Sequence, residues 1–214
     1  MKLGCSWSGG KDSCYALMQA LKDGHQLGAL VNMMNENGKI SRSHGLSQSI
    51  LQQQANAMNV SLLAEPTSWN DYQHHFIQAL EKIKLNQKIE GMVFGDIDLQ
   101  QHRDWEEMVC EKAGLKAILP LWKGDRKKLV MEMLEEGIES MIVSCNTIMG
   151  ESFPGRMITQ DLILELEGLG IDVCGENGEF HTVVINCPLF SSSIMLPAHS
   201  TILHDNYWFL QWAS

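Results

Sequence analysis

The chain is expected to fold as an α/β protein: a doubly wound parallel sheet followed by a smaller α+β domain. Three observations predict this. Short apolar runs alternate with stretches of helical periodicity through much of the 214 residues, and strands separated by helices need crossovers that give a parallel sheet covered on both faces. A glycine pair, Gly9 and Gly10, stands where the first apolar run passes into the first helical pattern. From about residue 150 the texture changes to turn formers and short β-type runs.

Lys2 to Trp7 reads as a buried strand, and Cys14, Leu17, Met18 and Leu21 then recur at helical spacing up to a stop at Gly24. Leu27 to Met34 is a second strand, closed by Asn35-Glu36-Asn37-Gly38; Leu46, Ile50, Ala55 and Met58 mark the next helix. Val60 to Ala64 is a third strand. Tyr72, Phe76, Ala79, Leu80 and Ile83 share one helical face, with Asn70 as the expected cap. Met92 to Phe94 is the fourth strand, Trp105 to Lys112 a helix stopped by Gly114, and Ala117 to Leu119 the fifth strand. A helix over Asp125 to Glu136 leads to the strand Met141 to Val143, a helix over Thr159 to Glu167 follows, and three short strands are expected at Phe180 to Ile185, Thr201 to Leu203 and Tyr207 to Leu210. The expected division is 1–124 for the larger domain and 125–214 for the smaller one.

Sixteen basic residues against 26 acidic ones leave a net charge of −10, which disfavours a broad electrostatic grip on nucleic acid. No apolar run reaches the roughly 18 to 20 residues of a membrane span, and Met1 to Cys5 leaves no room for a signal-peptide core. A cytoplasmic protein is expected. The six cysteines are dispersed, without Cys-x-x-Cys pairs or zinc spacing, and are expected to be reduced core thiols; no metal site is expected from side chains alone.

Ser8-Gly9-Gly10-Lys11-Asp12-Ser13 lies where ligands bind in an open parallel sheet, at a strand C-terminus and a helix start. Two glycines allow close backbone approach to an anion, the first helical turn offers N–H groups, and Ser8 and Ser13 add hydroxyls. It is not the ordinary P-loop, because Asp12 follows Lys11 where that motif has Ser or Thr. In the C-terminal part the densest polar and glycine cluster is Cys174-Gly175-Glu176-Asn177-Gly178-Glu179-Phe180-His181-Thr182. Glu176, Glu179 and His181 are placed to face one cleft as base, metal ligand or ammonium binder; a solvated turn entering a hairpin is the competing reading.

Ser-Gly-Gly-Lys-Asp-Ser resembles the signature of the ATP pyrophosphatase, or PP-loop, superfamily, which implies cleavage of ATP to AMP and pyrophosphate on a Rossmann-like sheet of the adenine nucleotide alpha-hydrolase type. The 174–182 string, Gly150-Glu151-Ser152-Phe153-Pro154-Gly155-Arg156, Gly91 to Ile97 and Leu119-Pro120-Leu121-Trp122 together resemble the diphthine-ammonia ligase family. His102-Arg103-Asp104-Trp105 resembles its bacterial-type branch. The resemblance implies an ATP-dependent, AMP-forming ligase that activates a carboxylate and amidates it with ammonia. The acceptor would be diphthine on elongation factor two or another, bacterial carboxylate. ATP and magnesium are the implied cofactors, and a homodimer is an expected assembly.

Carried over by position, Ser8, Gly9, Gly10, Lys11, Asp12 and Ser13 would bind the ATP phosphates, with Gly95 and Asp96 lining the nucleotide site; His44, by its own place at the start of the second helix beside the end of the second strand, is either a further nucleotide-site residue or a surface histidine. Glu151, Ser152 and Arg156 would receive the acceptor, Arg156 as carboxylate partner. Glu176, Asn177, Glu179 and His181 would be the catalytic set, orienting ammonia or magnesium, with His181 as a base for ammonium. Two other readings stay open: a tRNA-modifying PP-loop enzyme of the thiolase type, which the dispersed cysteines and acidic charge oppose, and a non-catalytic ATP-binding regulator.

Overall fold

The computed structural model describes residues 1–213. Five parallel strands form the first sheet: β1 (Lys2–Ser6), β2 (Gln26–Met34), β3 (Ser61–Pro66), β4 (Gly91–Val93) and β5 (Lys116–Ile118), in the order β3-β2-β1-β4-β5. The crossovers are α1 (Lys11–Lys22), α2 (Gln48–Ala57), α3 (Tyr72–Gln87) and α4 (Gln100–Ala113). One face of the sheet packs on α3 and α4, through Phe76, Leu80, Ile83, Val109 and Cys110. The other packs on α1 and α2, through Cys14, Leu17, Ile50 and Leu51. The sheet is therefore doubly wound, as the alternating pattern requires. The strand order reverses between β1 and β4, which opens a crevice at their C-terminal ends.

After α5 (Arg126–Glu135) the chain builds a second, antiparallel sheet from β6 (Glu139–Asn146), β7 (Phe180–Asn186), β8 (His199–His204) and β9 (Tyr207–Trp212), in the order β7-β6-β9-β8, with α6 (Gln160–Gly168) between β6 and β7. Val143, Phe180, Val183 and Leu210 of this sheet join the same apolar cluster as Leu3, Cys14 and Ile50 of the first half. One core thus runs under both sheets.

Local chemistry fixes the helix starts. Ser47 Oγ accepts from Ile50 N, Asp125 Oδ1 from Lys128 N at 2.8 Å, and Thr159 Oγ1 from Leu162 N at 3.2 Å, each satisfying an N–H that the helix itself leaves unpaired. The expected cap Asn70 is one residue early: Asp71 stands at the α3 N-cap, without a side-chain cap bond, and is held instead by Ser68, whose Oγ bonds both its N–H and its carboxylate.

Gly95, just beyond β4, shows why that position is glycine. A Cβ there would lie 2.7 Å from Ser13 N and 2.8 Å from the Asp12 carbonyl carbon, backbone atoms that cannot step aside. Gly95→Ala is expected to cost about 1–3 kcal/mol by overpacking, read as a lower urea midpoint. An unchanged midpoint would mean that β4 and α1 separate freely.

Candidate active site

A cleft of about 640 Å³ opens at the C-terminal ends of β1 and β4, lined by Ser8, Asp12, Ser13, His44, Gly95, Asp96, Glu176, Asn177 and His181, among others. It brings together residues from four separate stretches of sequence. Its floor is the Ser8–Ser13 loop. Gly9 takes φ +84°, a conformation open to glycine at no steric cost. Gly10 is the N-cap of α1 and has no side chain with which to cap it, so the first turn of α1 is left as a site for an anion. Ser8 and Ser13 meet at 3.0 Å between hydroxyls, Gly10 N donates to Ser8 Oγ at 3.2 Å, and Ser13 Oγ donates to Gly10 O at 3.1 Å. These bonds fix the loop before any ligand arrives.

Lys11 faces away from the cleft. Its side chain is buried; Nζ bonds both carboxylate oxygens of Asp12, at 2.9 and 2.8 Å, and donates to Cys174 O at 2.5 Å. Burial alone would lower the ammonium pKa, but the charges and hydrogen bonds around it prevail and raise it. Lys11 is thus a bolt between the loop and the C-terminal turn, with its backbone N–H also bonded to Thr182 Oγ1 at 3.1 Å. Gln54, wholly buried, completes the joint: Nε2 donates to Gly9 O and Val184 O, and Oε1 accepts from Trp7 Nε1. Val184 N donates to Gly9 O at 2.8 Å.

The opposite wall is the 174–179 turn. Asp172 shapes it by accepting from Cys174 N and Glu176 N at 3.1 and 3.0 Å. Glu176 then reaches across the cleft, its Oε1 accepting from Ile97 N at 3.1 Å. Burial raises its pKa from the usual carboxylate range to about 7; the Asp12 and Asp96 carboxylates add to the rise, and the Ile97 N–H and Lys11 offset part of it. A carboxylate poised there is suited to general-base work near neutral pH.

Arg126, at the start of α5, holds this turn against the first half. It bonds Asp98 through Nε and Nη2 at 2.8 and 2.6 Å, and Asp172 through Nη1 at 2.5 Å, and touches Asn177 Oδ1 at 3.3 Å. The sequence reading missed Arg126, Asp98, Asp172 and Gln54; Asp98, two residues past Asp96 beside the nucleotide motif, was the available signal. Arg126→Met would strand the partly buried Asp172 carboxylate, and is expected to cost about 2 kcal/mol, between exposed and buried ion pairs. Urea unfolding checks it, and a loss shared equally by Asp172→Asn and the double variant would confirm one coupled unit.

The histidines sort differently from expectation. His44 Nδ1 donates to Thr182 O at 2.8 Å, so its Nε2 is the acceptor, and burial lowers its pKa. It stacks on His181 with ring centroids 4.7 Å apart. Burial first, then His44 and Lys11, push His181 down to about 3. A histidine that weakly basic is a poor proton acceptor at neutral pH, whereas the shift of Glu176 suits one. His102 Nδ1 pairs with Asp96 Oδ1 at 2.6 Å, which raises the His102 pKa. For Asp96 burial acts upward, but hydrogen bonds from His102 and Glu106 outweigh it and the carboxyl titrates below its usual range.

Besides Gly9, Gly10 and Lys11, four expected residues lie outside the cleft lining. Glu179 folds back on its own turn, accepting from Asn177 N and Asn177 Nδ2, both at 3.1 Å. Glu151 and Ser152 are exposed on the turn that follows β6. Arg156 is engaged with Glu165 of α6 at 2.9 and 2.5 Å and lies over the Phe153 ring. Its backbone O accepts from Ile142 N, which fixes it beside β6. Among the described residues no three His, Cys, Asp or Glu converge as a metal site, and no helix is long and apolar enough to cross a membrane.

Comparison with known proteins bears on the same chain. Residues 1–117 match the family model of the diphthamide synthase N-terminal domain, and residues 125–213 that of the diphthamide synthase C-terminal domain. A diphthine–ammonia ligase of Rattus norvegicus is 26% identical over 235 residues, covering 96% of this chain and 86% of its own length. One of Homo sapiens is 26% identical with the same coverage, and one of Schizosaccharomyces pombe 29% identical over 93% of this chain and 36% of its own length. A solved structure described as a predicted subunit of tRNA methyltransferase from Methanocaldococcus jannaschii superposes with a TM-score of 0.48 at 16% identity, over 88% of this chain and 98% of that one.

Proposed function

The chain belongs to the diphthamide synthase family, and from that premise we propose that it is an ATP-dependent, AMP-forming ligase that joins ammonia to a carboxylate. The observation that carries this reading is the pairing across one cleft of the Ser8–Ser13 loop with Glu176, a base near neutrality. The division at 124/125 gives the loop to the first half and the base to the second.

In this reading the β- and γ-phosphates lie on the loop, against the Ser8 and Ser13 hydroxyls and the open first turn of α1. An acceptor carboxylate oxygen attacks the α-phosphorus, the bond to the bridging oxygen breaks, and pyrophosphate leaves. Ammonia then attacks the acyl carbon, AMP departs, and Glu176 takes the proton that the nitrogen loses. Magnesium is assigned to the substrate as MgATP, with Asp12 the carboxylate within the loop. Diphthine, named by the relatives, is the first acceptor to test.

The sulfur-transfer alternative meets a specific obstacle. Cys174 lines the cleft, but its Sγ donates to Arg126 O at 3.0 Å, and burial pushes the thiol up to about 12; a sulfur carrier needs the opposite shift. Nucleotide product analysis tests the proposal. Protein with MgATP, ammonium and an acceptor pool is expected to give AMP and pyrophosphate only when the acceptor is present. ADP and phosphate would overturn the reading, and tight ATP binding without turnover over a full acceptor pool would favour a regulator.

A further inference from the structure

The second sheet ends in an open edge. Among the described residues β8 pairs only with β9, and all six of its residues, His199 to His204, are exposed. Ala213 N donates to Ala198 O at 2.7 Å, and the hairpin closes between His204 and Tyr207 over Asp205 and Asn206. Bonded and non-bonded pairs alternate along an antiparallel ladder, so Ser200, Ile202 and His204 turn their backbone groups toward β9. His199, Thr201 and Leu203 turn theirs outward, and no backbone group of another described segment takes them up. Soluble proteins guard such an edge with lysine, proline or a bulge. β8 has neither lysine nor proline, and its ladder to β9 keeps register throughout. Ile202 also borders an apolar groove of about 650 Å³, lined by Ile40, Pro197, Phe209 and Trp212 among others.

Charge narrows what can meet this edge. The chain carries −10 overall, yet after Glu179 its one charged side chain is Asp205. A strongly charged partner would find no counter-charge along β8, whereas a second copy of this acidic chain can approach here without setting like charges together. The outward groups suit the same occupant, because they recur at every second residue and are centred on Thr201. A two-fold axis at Thr201 sets that residue against the partner's Thr201, and His199 and Leu203 against the partner's Leu203 and the partner's His199. Every outward N–H then donates across the axis and every outward C=O accepts, while the two Asp205 side chains fall at opposite ends. We propose that β8 joins two copies of this chain into a closed dimer, the two antiparallel sheets becoming one across Thr201. A stable interface buries roughly 1,200 Å² or more in total, more than one short strand from each copy supplies, and the groove beside Ile202 adds apolar wall to the contact. The dimer is independent of the ligase reading.

The test is sedimentation velocity on the full chain across the micromolar range, where monomer and dimer are expected in equilibrium and nothing larger. T201K and T201E each place like charges opposite one another on the axis, and each is expected to raise the dimer dissociation constant at least about tenfold. Mixed in equal amounts, the two variants are expected to regain a dimer of near-unaltered affinity, since the axis then pairs opposite charges. Amide exchange reads the register: the His199, Thr201 and Leu203 N–H groups are expected to slow as the protein passes from monomer to dimer, with Ser200 and Ile202 slow in both. A monomer at every concentration overturns the proposal, as does a dimer that both variants leave intact. Failure of the mixture to recover, or growth beyond the dimer, overturns the axis at Thr201. If the variants do not fold, amide exchange on the unaltered protein at low and high concentration decides alone.

Discussion

Replacing Ser13 by alanine is expected to lower acceptor-dependent AMP formation by about 10²- to 10³-fold, the usual effect of removing one preorganised donor from a developing charge. The hydroxyl is buried at the foot of the cleft, 3.0 Å from Ser8 Oγ and bonded to Gly10 O. It lines the cleft, and the proton that it gives to Gly10 O in the free protein is the one a phosphate oxygen would take. Its loss removes two hydrogen bonds from the free protein, about 1 kcal/mol each, so the fold should persist. Steady-state rates and a urea melt on one preparation separate the two effects. Near-normal turnover would mean that the serines only shape the loop, and the phosphate assignment would fall.

Glu176→Gln acts on the other step. MgATP binding and pyrophosphate release should survive, while amide formation falls by about 10²- to 10⁴-fold, the range general-base catalysis contributes. The pH profile gives a sharper reading. With Glu176 titrating at about 7, the unaltered enzyme should gain activity as pH rises through 7, and the variant should lose that limb. Stability runs the opposite way. A carboxyl whose folded pKa lies above its unfolded value binds more protons when folded between pH 4.5 and 7, so its contribution is complete at low pH and fades as pH rises through 7. Glu176→Gln should therefore be the more stable protein at pH 8. If the acid limb persists in the variant, the base is elsewhere.

Strand and helix placement was legible because the two periodicities, two and about 3.6, need only neighbouring residues to be read. The phosphate loop was legible for the same reason: its glycines, hydroxyls and position after a strand lie within six residues. Direction was not. Lys11 sits inside that motif, yet points to Cys174 O, 163 residues away. The 174–182 cluster was visible as chemistry, but which acid faces the cleft depends on Asp172 and Arg126, one outside the motif and the other on a different helix. Glu179 and Glu176 are indistinguishable as letters; a turn three residues long sends one into the cleft and the other onto Asn177. Arg156 in a glycine- and proline-rich turn looked like a carboxylate partner, and it is one, for Glu165 of its own chain.

The joint of Gln54, Lys11 and Val184 beneath the loop has a consequence for modularity. Gly9 O, Lys11 N and Lys11 Nζ all find partners on residues 174 to 184, so the six-residue motif is not a portable cassette. Residues 1–124 produced alone would keep every letter of it and lose the donors and acceptors that set its shape, and a chimaera with the second half of a distant relative would have to reproduce the 174–184 backbone before the loop could close on a phosphate. Inheritance of the two halves is coupled at the level of individual hydrogen bonds.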